Sequence, residues 1–422
     1  MNEINEHIQQ FFLLESGIRA LIASILVGGL CGLLGCFLVL RNMSLIGDAL
    51  SHAILPGIVV AFVLFGYSTM AFFGGSVIAG LISAFMITWL QRNIRVKNDA
   101  AIGIIFSFMF SLGVIGISWL SHHEGVHLDL KDFLFGNILA VETSDVVLTF
   151  IMVILVLSMI LIFYRSLFVT SFQSDLANTL GINANFIHYL TMFLLSLSVV
   201  ASLRSVGVIL VVSMLITPAS AALLISDRLP KVLASSVILG MISSMTGLLL
   251  SISFDFPPGP SMAVVTTLIY IFIMIFAPQR GLFSKWRNRR NHQMREVIED
   301  ILKLVSKQKA SSLSIHEIAE KSIHSERTLS RYLGKMQKLG LVKLQNSIVQ
   351  LSEDGQLRAH QLIRAHRLWE VYLVEQLGLD KDQIHEEAEK FEHQISEEEI
   401  REMDESLGYP ETDPHGSPIP RQ

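Results

Sequence analysis

The chain has 422 residues, of which 51% are hydrophobic and 16% are charged, and its formal net charge is −5. The charge is unevenly placed, because 46 of the 69 charged residues follow Pro278. This division excludes a single soluble globular domain: the first part is poor enough in charge to enter lipid, and the second must lie in water. Cys31 and Cys36 lie five apart in an apolar run, so they fit neither a disulfide framework nor a CxxC metal site, and we interpret them as helix-packing residues.

Nine apolar runs in the first part are long enough to cross a hydrocarbon core of roughly 30 Å. They lie at 17–40, 44–66, 71–90, 101–121, 146–164, 186–204, 206–226, 232–253 and 261–277. The predicted fold class is therefore mainly α, with a polytopic membrane helix bundle of about nine spans over residues 1–280. Two of the spans are separated only at 204–206.

The distribution of basic residues predicts the orientation of these spans. With nine spans, the basic residues near the ends of the spans fall mostly on one side: Arg41, Arg92, Arg95, Lys97, Arg165, Arg228, Lys231 and the cluster at 280–290. The opposite loops 122–145 and 254–260 contain Lys131 as their only lysine or arginine, although Arg204 lies on that same side at the break between two spans. The positive-inside rule then predicts a protein of the cell membrane with its N-terminus outside and its C-terminal part in the cytoplasm.

Two ionisable residues near the start of the second span are candidates for function, since such groups are costly at membrane depth. Asp48 and His52 are spaced i, i+4 and therefore share one helix face. A carboxylate and an imidazole on one face can replace part of the hydration shell of a divalent cation. The alternative is structural: the two side chains pair with each other or cap a helix end.

The residues around this pair resemble a known family. The segment RNMSLIGDALSHAILPG (41–57) is similar to the signature of the permease subunits of manganese, zinc and iron ABC importers, and SVGVILVVSMLITPASA (205–221) is similar to a later helix of that family. The resemblance covers about residues 10–280. It implies that Asp48 and His52 line the translocation path of Mn²⁺, Zn²⁺ or Fe²⁺. It also implies an extracytoplasmic metal-binding protein and a second permease, either another copy of the chain or a related one.

A further segment, FQSDLANTLGI (172–182), resembles the cytoplasmic coupling helix that such permeases press into their ATPase. The resemblance assigns this contact to Phe172, Asp175, Ala177 and Gly181; the alternative is an ordinary loop helix. No GxxxxGK[ST] phosphate-binding motif occurs in the chain, so we expect no nucleotide to bind it in that way. We therefore expect a transporter subunit, not an enzyme, with ATP hydrolysis on a separate partner chain.

The second part begins with a basic linker at 281–294 that is suited to contact membrane lipid, and it continues as a winged-helix pattern over 295–352. Apolar residues from Val297 to Val305 follow helical periodicity. A short helix at 315–321, a turn and a third helix at 326–339 follow, and Gly340 is placed to end the third helix. The segments 341–344 and 348–351 then predict the two strands of the wing.

Basic residues on the third helix suggest contact with nucleic acid. Residues 285–345 hold fourteen Lys and Arg against six Asp and Glu, a balance that suits phosphate. The candidate DNA-binding residues are Arg327, Arg331, Lys335 and Lys338. Two alternatives stay open, since many winged helices bind proteins and basic residues beside a membrane can meet anionic lipid.

Residues 353–413 are acidic, with eighteen Asp and Glu against six Lys and Arg. His366 and Glu370 share a helix face. Positions 0, 4, 7 and 8 of a second stripe hold His385, Glu389, Glu392 and His393. Imidazoles and carboxylates without a thiol suit Mn²⁺ or Fe²⁺ better than a closed thiolate zinc site. The alternative is a solvated acidic helix.

Residues 295–420 resemble the metal-dependent repressors of the diphtheria-toxin repressor and manganese transport regulator family. The resemblance rests on HRLWE (366–370), LGL (377–379), HEEAEKFEH (385–393) and PHGSPIP (414–420). It implies a helical metal-binding dimerisation domain at 353–422. Its metal centre would hold Mn²⁺ or Fe²⁺ with Glu296, Glu299, His366, Glu389, Glu392 and His393, and its ancillary site would use Glu370 and His385. Glu389 stands where iron-type members have cysteine, which favours manganese, whereas His385 is an iron-type feature.

These patterns together predict the permease subunit of an ABC importer for a divalent metal, with manganese favoured, fused to a cytosolic metal-responsive regulator. Two alternatives remain. In the first, the membrane part anchors a repressor that binds a DNA operator. In the second, the regulator senses cytosolic metal and inhibits transport without binding DNA.

Overall fold

The computed structural model describes residues 11, 13–66, 68–94, 96–123, 138–307, 312–322, 324–345, 347–379, 384, 388 and 397–421. The chain divides into two compact units, Met1–Ser284 and Lys285–Gln422. Within the described residues both units are mainly α-helical, which confirms the predicted fold class.

The first unit is a bundle of long apolar helices. In the described residues nine helical segments are long and apolar enough to cross a membrane, which confirms the predicted number. The helices are α1 (Glu15–Leu40), α2 (Ile46–Ala53), α3 (Leu55–Phe65), α4 (Thr69–Asn93), α5 (Asn98–His123), α6 (Thr143–Ile162), α7 (Tyr164–Phe172), α8 (Ser174–Thr179), α9 (Ala184–Ile225), α10 (Leu229–Phe254) and α11 (Pro258–Phe276). The second span consists of α2 and α3 together, and α9 supplies the sixth and seventh spans.

The sixth and seventh spans form one helix with a break inside it. Gly207 has φ 76° and ψ 170°, a conformation outside the helical region. Glycine adopts positive φ at no steric cost because it has no Cβ. The predicted division at 204–206 therefore lies just before the residue that interrupts the helix.

Close contacts between glycines set the spacing of several spans. A Cβ at Gly28 in α1 would lie 2.4 Å from the carbonyl oxygen of Gly240 in α10, and one at Gly57 in α3 would lie 2.1 Å from the oxygen of Gly75 in α4. Lipid tails are as apolar as leucine, so membrane helices associate through close packing and hydrogen bonds more than through the hydrophobic effect. Small residues at these crossings let the backbones touch.

The second unit contains a winged helix followed by further helices. Its elements are α12 (Leu282–Ser306), β1 (Ser312–Ser314), α13 (Ile315–Lys321), α14 (Glu326–Lys338), β2 (Val342–Gln345), β3 (Ile348–Leu351), α15 (Glu353–Glu375) and α16 (Glu397–Ser406). The strands form an antiparallel sheet in the order β1-β3-β2, with Val349 paired to Leu313 on one side and Leu344 on the other. The predicted helices and wing strands are present, β1 is additional, and the residues predicted as a linker are helical from Leu282.

The core of the winged helix follows the periodicity of the sequence. The side chains that are at most 1% exposed are Ile301, Leu302, Val305, Ile318, Leu329, Leu333, Met336 and Val349. Ser314 and Glu317 form a reciprocal capping box at the start of α13. Gly340 has φ 76°, which matches its predicted place at the end of the third helix.

Two neighbouring glycines in α4 test the close packing of the spans. A Cβ at Gly75 would lie 2.3 Å from the backbone oxygen of Gly57, whereas nothing lies within 4 Å of a Cβ at Gly74. We expect Gly75→Ala to destabilise the membrane unit by about 1–3 kcal/mol, the usual cost of overpacking. The measurement is the thermal unfolding of the full chain in detergent. Gly74→Ala is the matched control, and equal midpoints for the two variants would contradict the packing described.

Candidate functional site

Asp48 and His52 lie together on α2, as the i, i+4 spacing predicted. His52 Nε2 is 3.6 Å from Asp48 Oδ1, and the two side chains are 19% and 48% exposed, respectively. The carboxylate therefore keeps access to the space beside the helix while the imidazole is largely enclosed. The pair brings one hard oxygen ligand and one nitrogen ligand to the same place.

The surroundings hold this pair in position. The His52 ring lies edge-on to Phe106 and Phe110 of α5, with centroid distances of 5.7 and 5.4 Å. The neighbouring Gly47 approaches α9 so closely that a Cβ would lie 2.7 Å from the side chain of Leu215. Pro56 has no N–H to donate to the carbonyl of His52, and the helix is interrupted between α2 and α3. The pair thus lies at a helix break that is packed from two sides.

The segment predicted to contact an ATPase, 172–182, begins at the last residue of α7 and includes the short helix α8. Phe172, Leu176 and Leu180 are 56%, 47% and 58% exposed, whereas Ala177 is fully buried. Gly181 has φ 77° and ends this segment. The backbone of Asp175 lies in α8, and its side chain is outside the described part of the structure. The segment therefore presents an exposed apolar surface.

The predicted DNA-binding residues share one face of α14. Leu329, Leu333 and Met336 bury the opposite face of this helix. The four exposed basic side chains are Arg327, Arg331, Lys335 and Lys338. At the start of the helix, His316 Nδ1 lies 2.8 Å from Glu326 Oε1, and this hydrogen bond is the main reason that the pKa of His316 is raised.

Two of the predicted sensor ligands are adjacent on α15. His366 Nε2 lies 3.2 Å from Glu370 Oε1, and the two side chains are 11% and 3% exposed. Imidazole nitrogen and carboxylate oxygen are ligand types that Mn²⁺ and Fe²⁺ accept, so this adjacent pair fits part of a metal site.

The first helix of this unit places Glu296 and Glu299 differently. Glu296 is exposed, whereas Glu299 is 3% exposed. Glu299 Oε1 accepts hydrogen bonds from Arg295 Nε at 3.0 Å and from Arg358 Nη2 at 2.7 Å. A metal that used this oxygen would have to displace the two guanidinium donors. Sequence reasoning missed Arg358, although an arginine within the apolar repeat of α15 is a signal of a buried partner.

The other predicted sensor ligands, His385, Glu389, Glu392 and His393, lie outside the described residues. Within the described part of the chain, no three His, Cys, Asp or Glu side chains come together closely enough to hold a metal ion. The structure thus brings His366 and Glu370 together and leaves the remainder of the predicted centre as a prediction.

Arginines that the sequence did not single out anchor the last residues to α15. Arg364 pairs with Asp404, and Arg367 donates a hydrogen bond to the carbonyl of Pro418. Arg367 Nε also lies 3.5 Å from Asp413 Oδ2. The C-terminal segment is therefore held by charged contacts as well as by the apolar cluster around Leu368.

Comparison with known families assigns the membrane unit. The model described as "ABC 3 transport family" matches residues 14–277, more than half of the chain. The chain belongs to the ABC 3 transport family. The model described as "Iron dependent repressor, metal binding and dimerisation domain" matches residues 352–421 of the same chain. Both resemblances read from the sequence are confirmed: an ABC 3 permease is fused to a repressor-type metal-binding domain.

Individual relatives of this ABC 3 permease are transport proteins. The manganese transport system membrane protein MntC of Halalkalibacterium halodurans is 42% identical over 277 residues, covering 65% of this chain and 92% of the relative. MntC of Bacillus subtilis is 32% identical over 367 residues, covering 85% of this chain and 84% of the relative, so that match extends beyond Ser284. Among solved structures, the chain is similar to PsaBC from Streptococcus pneumoniae in complex with Fab. The sequences are 39% identical, the match covers 66% of this chain and 97% of the PsaBC chain, and the TM-score is 0.58.

The contact between Glu299 and Arg358 yields a stability prediction for the second unit of this permease. Arg358→Met removes one of two guanidiniums from a nearly buried carboxylate, so we expect the free energy of unfolding to fall by about 2–3 kcal/mol. The measurement is urea unfolding of the 285–422 fragment. Arg421→Met is the control, because the Arg421–Glu411 pair is exposed on both sides and should contribute about 0–1 kcal/mol. Equal losses in the two variants would contradict a structural role for the buried pair.

Proposed function

We propose that this chain is the permease subunit of an ABC importer whose transported ion is Mn²⁺, and that its cytosolic unit is a metal-responsive regulator. The observation that supports transport of a hard divalent cation is the adjacent Asp48 and His52 at a packed helix break. Oxygen and imidazole ligands without thiolate suit Mn²⁺, and they also accept Fe²⁺ or Zn²⁺. The names of the MntC relatives favour manganese among these ions.

In this proposal the ion arrives from an extracytoplasmic metal-binding protein and passes Asp48 and His52 in a permease dimer. The second permease is another copy of the chain or a related one. ATP hydrolysis occurs on a separate ATPase chain. The exposed apolar residues Phe172, Leu176 and Leu180 supply a surface for that partner, with Ala177 and Gly181 shaping the segment beneath them. The basic residues at the ends of the spans support a cytoplasmic position for this surface, with the N-terminus outside.

The regulatory proposal extends the metal chemistry to the cytosolic unit. His366 of the proposed metal centre and Glu370 of the proposed ancillary site are adjacent on α15, and Glu296 and Glu299 lie on α12. Glu296, Glu299, His385, Glu389, Glu392 and His393 complete the set of proposed ligands for Mn²⁺ or Fe²⁺. Metal bound there would favour one arrangement of the dimerisation region, a shift in population that follows from differential affinity. The exposed basic face of α14 makes operator DNA the first candidate for what that arrangement binds.

The second candidate is feedback inhibition of transport, which the covalent fusion of the two units favours. In that case cytosolic metal would act on the permease through the tail, and DNA would not be needed. Deletion of residues 295–422 would then leave uptake active but insensitive to internal metal.

Uptake of manganese tests the proposed ion path. The full chain is reconstituted in vesicles with its ATPase and binding protein, and uptake of radiolabelled Mn²⁺ is measured. We expect Asp48→Asn to lower uptake at least about tenfold, because the isosteric amide removes the charge that offsets dehydration of the ion. Competition by Fe²⁺ and Zn²⁺ in the same assay ranks the three ions.

The control for this assay is Asp255→Asn. Asp255 is an exposed helix-terminal residue with φ 54°, a conformation that asparagine tolerates. Equal amounts of each variant in the vesicles show that insertion is unaffected. Full uptake by Asp48→Asn would remove the pair from the transport path and would favour the membrane part as an anchor.

Binding of DNA by the 285–422 fragment tests the regulatory proposal. The fragment is titrated with DNA from upstream of its own gene, with and without Mn²⁺. We expect Mn²⁺-dependent binding that Glu392→Ala abolishes. The double variant Arg327→Ala/Arg331→Ala should weaken binding. It should also reduce the slope of log affinity against log salt concentration by about two, as expected for the loss of two phosphate contacts.

Arg421→Ala removes an exposed arginine outside α14 and should leave DNA binding unchanged. Binding of Mn²⁺ without binding of DNA would reject the operator proposal and favour feedback on transport. The absence of both would leave the tail without a metal-dependent role.

A further inference from the structure

A polar cavity of about 500 Å³ opens at one end of the membrane unit. It forms where three connections converge: the turn after α1, the connection between α4 and α5, and the segment from α7 to the start of α9. These connections follow the first, third and fifth spans, so they belong on one side of the membrane. The charge pattern predicts that this side is the cytoplasmic one.

Two arginines line this cavity. Arg41 Nη2 donates a hydrogen bond to Thr170 Oγ1 at 2.8 Å, and its Nε donates to Ser171 Oγ at 3.4 Å. Arg92 is exposed and lines the same space. Burial and, to a lesser extent, repulsion by Arg92 together lower the pKa of Arg41 to about 10. The two positive charges are therefore close enough to disfavour each other.

The described part of the chain does not neutralise these charges. No described carboxylate lines the cavity, and none forms an ion pair with either guanidinium. The other polar lining side chains include Asn42, Asn98, Asn178 and Asn185, which offer amide donors. Such a cavity repels a metal cation, so it does not belong to the ion path at Asp48 and His52.

Two buried nitrogens in the cavity wall also lack partners. Gln91 Nε2 and His188 Nε2 are shielded from solvent and have no hydrogen-bond partner among the residues that the structure describes. Native proteins satisfy nearly all such atoms, because an unpaired buried donor or acceptor costs about 1–3 kcal/mol. A ligand with several acceptor oxygens would pair with the Gln91 amide and, when the ring nitrogen carries a proton, with His188.

We propose that this cavity is an anion site that binds a phosphate group. Guanidinium groups match the oxygens of phosphate and form strong charge-assisted hydrogen bonds with it. The volume accommodates a phosphate group with part of an attached ester. Two sources of this chemistry reach the cytoplasmic boundary of a membrane: the headgroup of an anionic phospholipid and free inorganic phosphate.

A bound phosphate would link the segment that carries Asn178 to the ends of α1 and α4, through contacts with Arg41 and Arg92. Since α8 belongs to the surface proposed for the ATPase, occupancy of the site would make that surface more rigid. The phosphate site itself depends on the cavity alone, so a failure of the proposed manganese transport would not affect its test.

The experiment uses the full chain in dodecyl maltoside, a detergent without phosphate. In one arm the thermal midpoint is measured against the concentration of inorganic phosphate at constant ionic strength set with chloride. In the other arm phosphatidylglycerol is added in mixed micelles, retained lipid is counted by native mass spectrometry, and diacylglycerol is the phosphate-free control. We expect saturable binding in at least one arm, and the arm that responds identifies the source.

Three variants decide the outcome. Arg41→Gln and Arg92→Gln should each weaken the saturable binding about tenfold, as for loss of one charge-assisted contact. Arg228→Gln removes an exposed arginine of the same predicted side that does not line the cavity, and it should leave binding unchanged. If Arg41→Gln fails to fold because its contacts with Thr170 and Ser171 are lost, the exposed Arg92→Gln carries the test.

The proposal is overturned if neither probe binds saturably, or if Arg228→Gln weakens binding as much as Arg92→Gln does. It is also overturned if both probes fail while assembly with the ATPase subunit requires Arg92. In that case the cavity would receive an acidic side chain of the partner instead of a phosphate.

Discussion

Water does not reach the hydrocarbon core of a membrane, so every polar group there needs a partner within the protein. The membrane unit meets this constraint mainly within its helices. Hydroxyl groups such as those of Ser83, Thr88 and Thr191 donate to the carbonyl four residues earlier. Contacts between helices add to this, as where Ser236 donates to the carbonyl of Gly32 at 2.7 Å. Ionisable side chains are therefore conspicuous where they occur, and Asp48 with His52 is such a place.

The same constraint explains why glycines determine the position of that pair. Helices in lipid gain most from close contact, and a missing Cβ permits it. Leu215 of α9 shows this on two sides: a Cβ at Gly35 would lie 1.8 Å from its backbone oxygen, and one at Gly47 would lie 2.7 Å from its side chain. The helix that carries Asp48 is thereby held against α9. If Asp48 and His52 bind the transported ion, as proposed, this packing would help to hold their ligand atoms, because coordination depends on distances fixed to within a few tenths of an ångström.

The second unit buries charge selectively. Glu299 is nearly buried, and its two guanidinium partners come from the same helix and from α15, 59 residues later. This contact joins the first helix of the winged fold to the helix that carries His366 and Glu370. A divalent ion at Glu299 would exchange the two arginine contacts for metal coordination, so binding would alter the link between the two parts of the unit. If metal binds there, as proposed, the same carboxylate would take part in both metal binding and the rearrangement.

Local patterns in the sequence predicted the spans, the three helices of the winged fold and the adjacent Asp48 and His52, because helical periodicity alone places residues four apart on one face. The strand Ser312–Ser314 was missed, since one leucine between two serines gives no alternation to detect. Contacts between distant residues were beyond such reasoning. Gly74 and Gly75 are neighbouring glycines that the sequence does not distinguish, yet of the two only Gly75 contacts another backbone closely. Similarly, the sequence does not identify the partner of Arg358, and only the fold shows that it pairs with Glu299.

The cavity around Arg41 shows the same limit most clearly. Its lining residues come from segments more than 100 positions apart, and each of them alone looks like an ordinary residue at the end of a span. The positive-inside pattern accounts for Arg41 and Arg92 as separate markers of orientation. Their proximity adds a cost that orientation does not require, because two like charges repel at short distance. Binding of an anion would explain why both arginines lie in one cavity. Their role as signals of membrane orientation does not explain it.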